Sequence, residues 1–166
     1  MLNISPFGMF HTLLALVAVV TGIVALAREG EIGTRSASGL SYVLFTAATC
    51  ITGLFIFRHG GFGPPHVLSI LTLVVLAVAF AAEKRASPGG AAHYVAVLAY
   101  SLTLFFHWIP GLTETGTRLP AGAPAFTGPE DPTLQALVGV GFVVYLAGAG
   151  LQVLRIRKVR RGVAAI

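Results

Sequence analysis

Five long apolar runs alternate with short polar ones along the chain. The first covers residues 6–27, PFGMFHTLLALVAVVTGIVALA, with His11 its one strongly polar side chain, and is followed by the hydrophilic link REGEIGTRSASG. A second run, 40–57, is closed by Arg58 and leads into the stiff turn HGGFGPPH. The third, 67–82, ends in Glu83-Lys84-Arg85, and ASPGGAA joins it to the fourth, 93–109, which has a histidine near each end. The fifth spans 133–154. Each run approaches the ~20 residues that a helix needs to cross a hydrocarbon core of about 30 Å. Backbone polar groups must be paired within the segment at that depth, which selects helices over an open sheet. The pattern predicts an all-α integral membrane helical bundle of five transmembrane helices, a single transmembrane domain over residues 1–166.

Punctuation between the runs sets the expected boundaries. Pro6 suits a first helical turn, where its missing N–H is not needed. Trp108-Ile109-Pro110-Gly111 reads as a stop, followed by a polar turn carrying Glu114 and Arg118. The segment from Gly111 to Pro132 is then a loop of about twenty residues, a length that tends to be functional or disordered. Glu130-Asp131-Pro132 supplies start residues for the fifth helix.

Composition agrees with this layout. Hydrophobic residues make up 55% and charged residues 10% of the 166 positions, against about 25% charged in a soluble domain. The net charge of +5 does not imply nucleic acid: five of the eleven basic residues sit in the tail LRIRKVRRG without interleaved aromatics. Orientation and attraction to anionic lipid headgroups explain it instead. Cys50 is the single cysteine, which excludes an internal disulfide and a cysteine metal cage. MLNISPFGMF has no basic leader, so no cleavable signal peptide is expected.

Basic residues fix the expected orientation. With the N-terminus outside, the inner side carries Arg28, Arg35, Lys84, Arg85, Arg155, Arg157, Lys158, Arg160 and Arg161, and the outer side only Arg58 and Arg118. Nine against two is a clear positive-inside asymmetry, so the C-terminus is expected in the cytoplasm and the protein in a bacterial inner membrane. His11, His59, His66 and His107 then fall on the outer side and His93 on the inner.

One-sided histidines suggest chemistry. Imidazole is the commonest protein ligand for transition metals, and His11, His66 and His107 from separate helices would form a three-histidine site for copper, iron or zinc with an open position. His59 or Glu114 would be a further ligand or supporting group. Alternatively, two histidines on facing helices would clasp one haem b, with Gly8, Gly22 and Gly53 making room for the ring. His93 and His107 are about 21 Å apart along one helix at 1.5 Å per residue, as in di-haem cytochromes, but no second inner histidine exists to complete an inner site. Glu114, Arg118, Tyr100 and Trp108 are the candidate supporting residues. Tyr100 precedes His107 by seven residues and shares its helix face. Histidines at span ends also serve simply as hydrogen-bonding interfacial groups, and proton or quinone handling is a further reading.

The function expected is electron transfer or redox chemistry through one haem b or a transition metal, with quinone or a periplasmic redox partner. The alternative is a non-enzymatic accessory or scaffold subunit, joined to other membrane subunits or to copies of itself through the small residues Gly139, Gly141, Ala147, Gly148, Ala149 and Gly150.

The run from His11 through HGGFGPPHVLSILTLVVLAVA to FFHWIPGLTETGTRLP resembles a family of small bacterial membrane proteins grouped as domain of unknown function 2306. The similarity covers nearly the whole chain, with FFHWIPG and TETGTRLP its most specific part. In that family the first link often carries a histidine after Thr-Arg; here GTRSASG has none, so a role for such a residue does not carry over. The resemblance implies a membrane location and the outer histidines His11, His66 and His107, and no particular reaction.

Overall fold

The computed structural model describes residues 5–57 and 61–163. Among them are five helices: α1 (Pro6–Glu29), α2 (Ala37–Gly53), α3 (Pro64–Lys84), α4 (Ala91–Gly116) and α5 (Pro132–Val163). Four are long and apolar enough to cross a membrane. The exception is α2, whose 17 residues rise about 26 Å at 1.5 Å per residue.

Local chemistry accounts for the helix ends. The Ser5 hydroxyl accepts the Gly8 N–H at 3.0 Å and Pro6 occupies the first turn of α1. Gly30 closes that helix with φ 74° and donates its N–H to the Leu26 carbonyl, a left-handed position that a side chain would strain. Ser36 caps α2 by accepting the Gly39 N–H at 3.1 Å. Asp131 caps α5, taking the Thr133 N–H at 2.9 Å and the Thr127 N–H at 3.0 Å.

The helices pack as neighbours in sequence, α1 on α2 and α3 on α4, with α2 joining α3 and α4 touching both α1 and α5. Small residues at the contact, Ala18, Ala25 and Ala79, surround the large rings of Tyr42 and Tyr100, all without exposure. α5 packs its backbone against α4 and reaches the end of α1 only through side chains: 6% of its most apolar window is buried, against 28% for α4.

Three boundaries differ from the sequence reading. α4 does not stop at Trp108-Ile109-Pro110-Gly111 but continues through Pro110 to Gly116. Proline removes one helical hydrogen bond at a cost of roughly 3 kcal/mol, and the turns beyond it offset this with Thr113 and Thr117 hydroxyls donating to the Ile109 and Thr113 carbonyls. Phe126 also packs onto Gly116. Glu114 is therefore helical, and the connection to α5 is shorter, Thr117–Asp131. The basic tail is not a tail: it is the last two turns of α5.

Candidate functional site

Polar side chains inside the bundle form two groups joined by a stripe. The first group lies at the end where α1 begins and α4 ends. His11 Nδ1 is 2.9 Å from the Thr52 hydroxyl of α2. His107 Nε2 is 3.1 Å from the Thr46 hydroxyl, also of α2. The His11 ring sits over Gly53, where a Cβ would meet its Cε1 at 3.2 Å and the Ser69 hydroxyl at 3.0 Å; glycine is what lets α1 and α3 close on this face of α2. His11 lies within electrostatic reach of both His107 and Glu114. Glu114 forms an ion pair with Arg118.

His66 is engaged elsewhere. Its ring stacks between Phe57 and Phe62, with centroids 4.8 and 5.3 Å away, and its Nδ1 accepts the Gly63 N–H at 3.2 Å at the start of α3. Its Nε2 is buried without a hydrogen-bonding partner among the described residues. Trp108 faces α5, donating its indole N–H to the Leu137 carbonyl at 3.2 Å. His59 lies outside the described residues. No group of three His, Cys, Asp or Glu side chains is placed to hold a metal ion among the described residues. Of the expected set, His11 and His107 both hydrogen-bond to hydroxyls of α2, Thr52 and Thr46.

The stripe runs from this pair towards the other end. On α2, Tyr42, Thr46 and Thr49 share one face, and on α4 so do Tyr100, Thr103 and His107, spacings that place side chains over one another. The Tyr42 hydroxyl is 2.6 Å from that of Thr103 and donates to the Tyr100 carbonyl at 3.5 Å. Thr49 adds a buried hydroxyl without a partner among the described residues, which costs about 1–3 kcal/mol unless a water reaches it.

The second group was not legible as a site in the sequence. The Glu83 carboxylate, in the last turn of α3, accepts the Tyr100 hydroxyl at 2.7 Å and the Thr34 N–H at 2.8 Å. Glu29 accepts the Ser36 and Ser38 hydroxyls at 2.5 and 3.1 Å. Glu31 lies 3.1 Å from His93 Nε2. Gln152 of α5 donates to the Gly30 carbonyl at 3.3 Å and accepts the Ser101 hydroxyl at 3.0 Å, and Arg155 donates to the Glu29 carbonyl. A cavity of about 190 Å³ opens among Glu29, Glu31, Arg35, Glu83, His93 and Tyr100. The signal for this end was electrostatic: Glu29 and Glu83 stand in the last turns of their helices, where the dipole disfavours negative charge, so each needs a donor.

Tyr100 thus points its hydroxyl away from His107, to Glu83. No protein-family model, curated protein or solved structure matches the chain.

Proposed function

We propose that this is a five-span membrane protein, N-terminus outside and basic end in the cytoplasm, that takes up and releases protons at the His11–His107 pair. The supporting observation is that imidazoles from α1 and α4 each hydrogen-bond to a hydroxyl of α2 at the same end of the bundle. Ionisable groups within spans are rare, face the bundle interior and mark proton relays and ion paths. Histidine alone among side chains changes charge near neutral pH without strong perturbation. The orientation is supported by the nine basic residues at the end where α1, α3 and α5 finish, against Arg118 at the other end among the described residues.

The test is a histidine titration by NMR on ¹⁵N-labelled protein in detergent. Two histidines that interact titrate as a pair, so H107Q is expected to remove one step and displace the remaining His11 step. A His11 curve identical in wild type and H107Q ends this reading.

A second reading is supported by the same arrangement: the pair would ligate one haem b or a metal ion, each ring using the nitrogen not bonded to threonine. An oxidised and dithionite-reduced absorption spectrum with metal analysis separates the two. Under the haem reading a Soret band appears that H107A abolishes and H93A leaves intact; a colourless, metal-free sample with coupled histidines supports the proton reading alone.

A further inference from the structure

The histidine pair and the carboxylate group occupy opposite ends of the bundle, and the stripe between them is made almost entirely of hydroxyls. We propose that this stripe is a proton route across the membrane, entering at His11 and His107 and leaving through Tyr42 and Tyr100 to Glu83 and the cavity at the basic end. The proposal rests on the proton-handling reading of the pair and extends it from a one-sided site to transmembrane conduction.

Three links are short: His107 meets Thr46 at 3.1 Å, Tyr42 meets Thr103 at 2.6 Å, and Tyr100 meets Glu83 at 2.7 Å. Thr46 and Tyr42 lie one turn apart on the same face of α2. Thr46, Tyr42, Thr103 and Tyr100 are fully buried, so these hydroxyls have no lipid or bulk water to satisfy. A hydroxyl both donates and accepts, which is what passing a proton requires: it takes one from the neighbour on its outer side as it gives one to the neighbour on its inner side. One proton enters at the imidazoles, one leaves from the Glu83 carboxyl, no covalent bond to carbon changes, and one positive charge crosses. Thr49, buried and unpartnered beside Thr46, is a second sign of a polar track rather than a packed apolar seam.

The stripe has two open links. No hydrogen bond joins Thr46 to Tyr42 among the described residues, and the Tyr42 and Thr103 hydroxyls donate to the Tyr100 carbonyl at 3.5 and 2.8 Å, not to the Tyr100 hydroxyl. A side-chain rotation or an intervening water must bridge each, and the wider break at Tyr100 is the gate. At the exit, Glu83 shares its cavity with Glu29, Glu31, Arg35 and His93, while Arg155 of α5 is held at the Glu29 carbonyl. The Glu29 and Glu31 carboxylates there give a proton released from Glu83 acceptors on the way to water.

The experiment is proton flux in vesicles of phosphatidylcholine and phosphatidylglycerol containing the full chain and the dye pyranine. A potassium gradient with valinomycin supplies the driving potential and the compensating charge. Wild type is expected to acidify the lumen faster than protein-free vesicles, and only with valinomycin. Y42F and E83Q are each expected to lower the protein-dependent rate at least tenfold. Glutamine keeps an acceptor for the Thr34 N–H, and if E83Q fails to fold, Y42F decides. T21V is expected to match wild type, because the Thr21 hydroxyl bonds only to the Val17 and Ala18 carbonyls of its own helix. A wild-type rate equal to that of empty vesicles overturns the route, as does flux that Y42F leaves intact. Either result is distinct from failure of the histidine pair, which the NMR titration reports in detergent without any vesicle.

Discussion

At the histidine end each ring carries one hydrogen bond to a neutral hydroxyl, His11 to Thr52 and His107 to Thr46. At the basic end Glu83 and Glu29 each accept two, from backbone and hydroxyl donors on other segments. Hydrogen bonds to a charged group contribute about twice as much as neutral ones, so the two ends differ in what their polar groups do. The imidazoles meet only neutral hydroxyls of α2, whereas the carboxylates tie α1, the α1–α2 link, α3 and α4 together at their end.

Removing Glu83 should break that contrast most severely. E83A leaves the fully buried Tyr100 hydroxyl and the Thr34 N–H without their acceptor, and two unsatisfied groups at 1–3 kcal/mol apiece imply a loss of about 3 kcal/mol. Thermal unfolding in detergent, followed by helical circular dichroism, checks it. E83Q, which keeps an acceptor, should lose less than half as much; equal losses would mean that volume rather than hydrogen bonding matters at this end.

The join between the ends is the next target. A methyl at Gly22 would meet Tyr42 Cδ2 at 2.7 Å and Leu104 Cδ1 at 3.2 Å, and the Tyr42 ring has no exposure through which to move. G22A should cost about 1–3 kcal/mol by overpacking and pull Tyr42 off Thr103. A compensating G22A/Y42L double variant, which removes the clashing ring carbons, should lose less than the two single variants summed; additive losses would place the strain elsewhere. At the histidine end itself the effect should be smaller: T52V removes a single neutral bond to His11, worth about 1 kcal/mol. A loss as large as that of E83A would erase the distinction between the ends.

These differences bear on what the chain reveals before folding. The helices are visible because apolar runs of near-spanning length have few other solutions in lipid, and His11 stands out as a lone polar group inside one. The relation of His11 to His107 is not visible, since it depends on Gly53 letting α1 close on α2, a contact 42 residues along the chain that no periodicity encodes. His66 looks equivalent to them in sequence but is consumed by stacking and by capping α3. Glu83 reads as the polar punctuation that ends a span, because a partner such as Thr34 lies in a link with no pattern at all. Pro110 misleads for the opposite reason: its local rule is sound, but the helix beyond it is held by Thr113, Thr117 and Phe126.

Asp131 offers the smallest effect and the cleanest sign. The Thr127 and Thr133 amides bond its ionised carboxylate and hold its pKa below the ordinary carboxylate value. A folded pKa below the unfolded one contributes stability that is fully present above the unfolded pKa, about 3.9, and is lost as pH falls through the depressed folded value. The group is exposed at the start of α5 and screened by solvent, so D131A should lower the unfolding temperature only slightly at neutral pH. The wild-type advantage should vanish in acid below that range. Because the first turns of α5 lie far along the helix from Gln152 and Arg155, which bond to Gly30 and Glu29, the loss should appear as fraying of the first turn of α5, read by amide exchange at Leu134 and Gln135, with both polar ends of the bundle unchanged. Exchange that also quickens around His107 or Glu83 would mean that α5 is coupled to the polar stripe through more than its contact with α4.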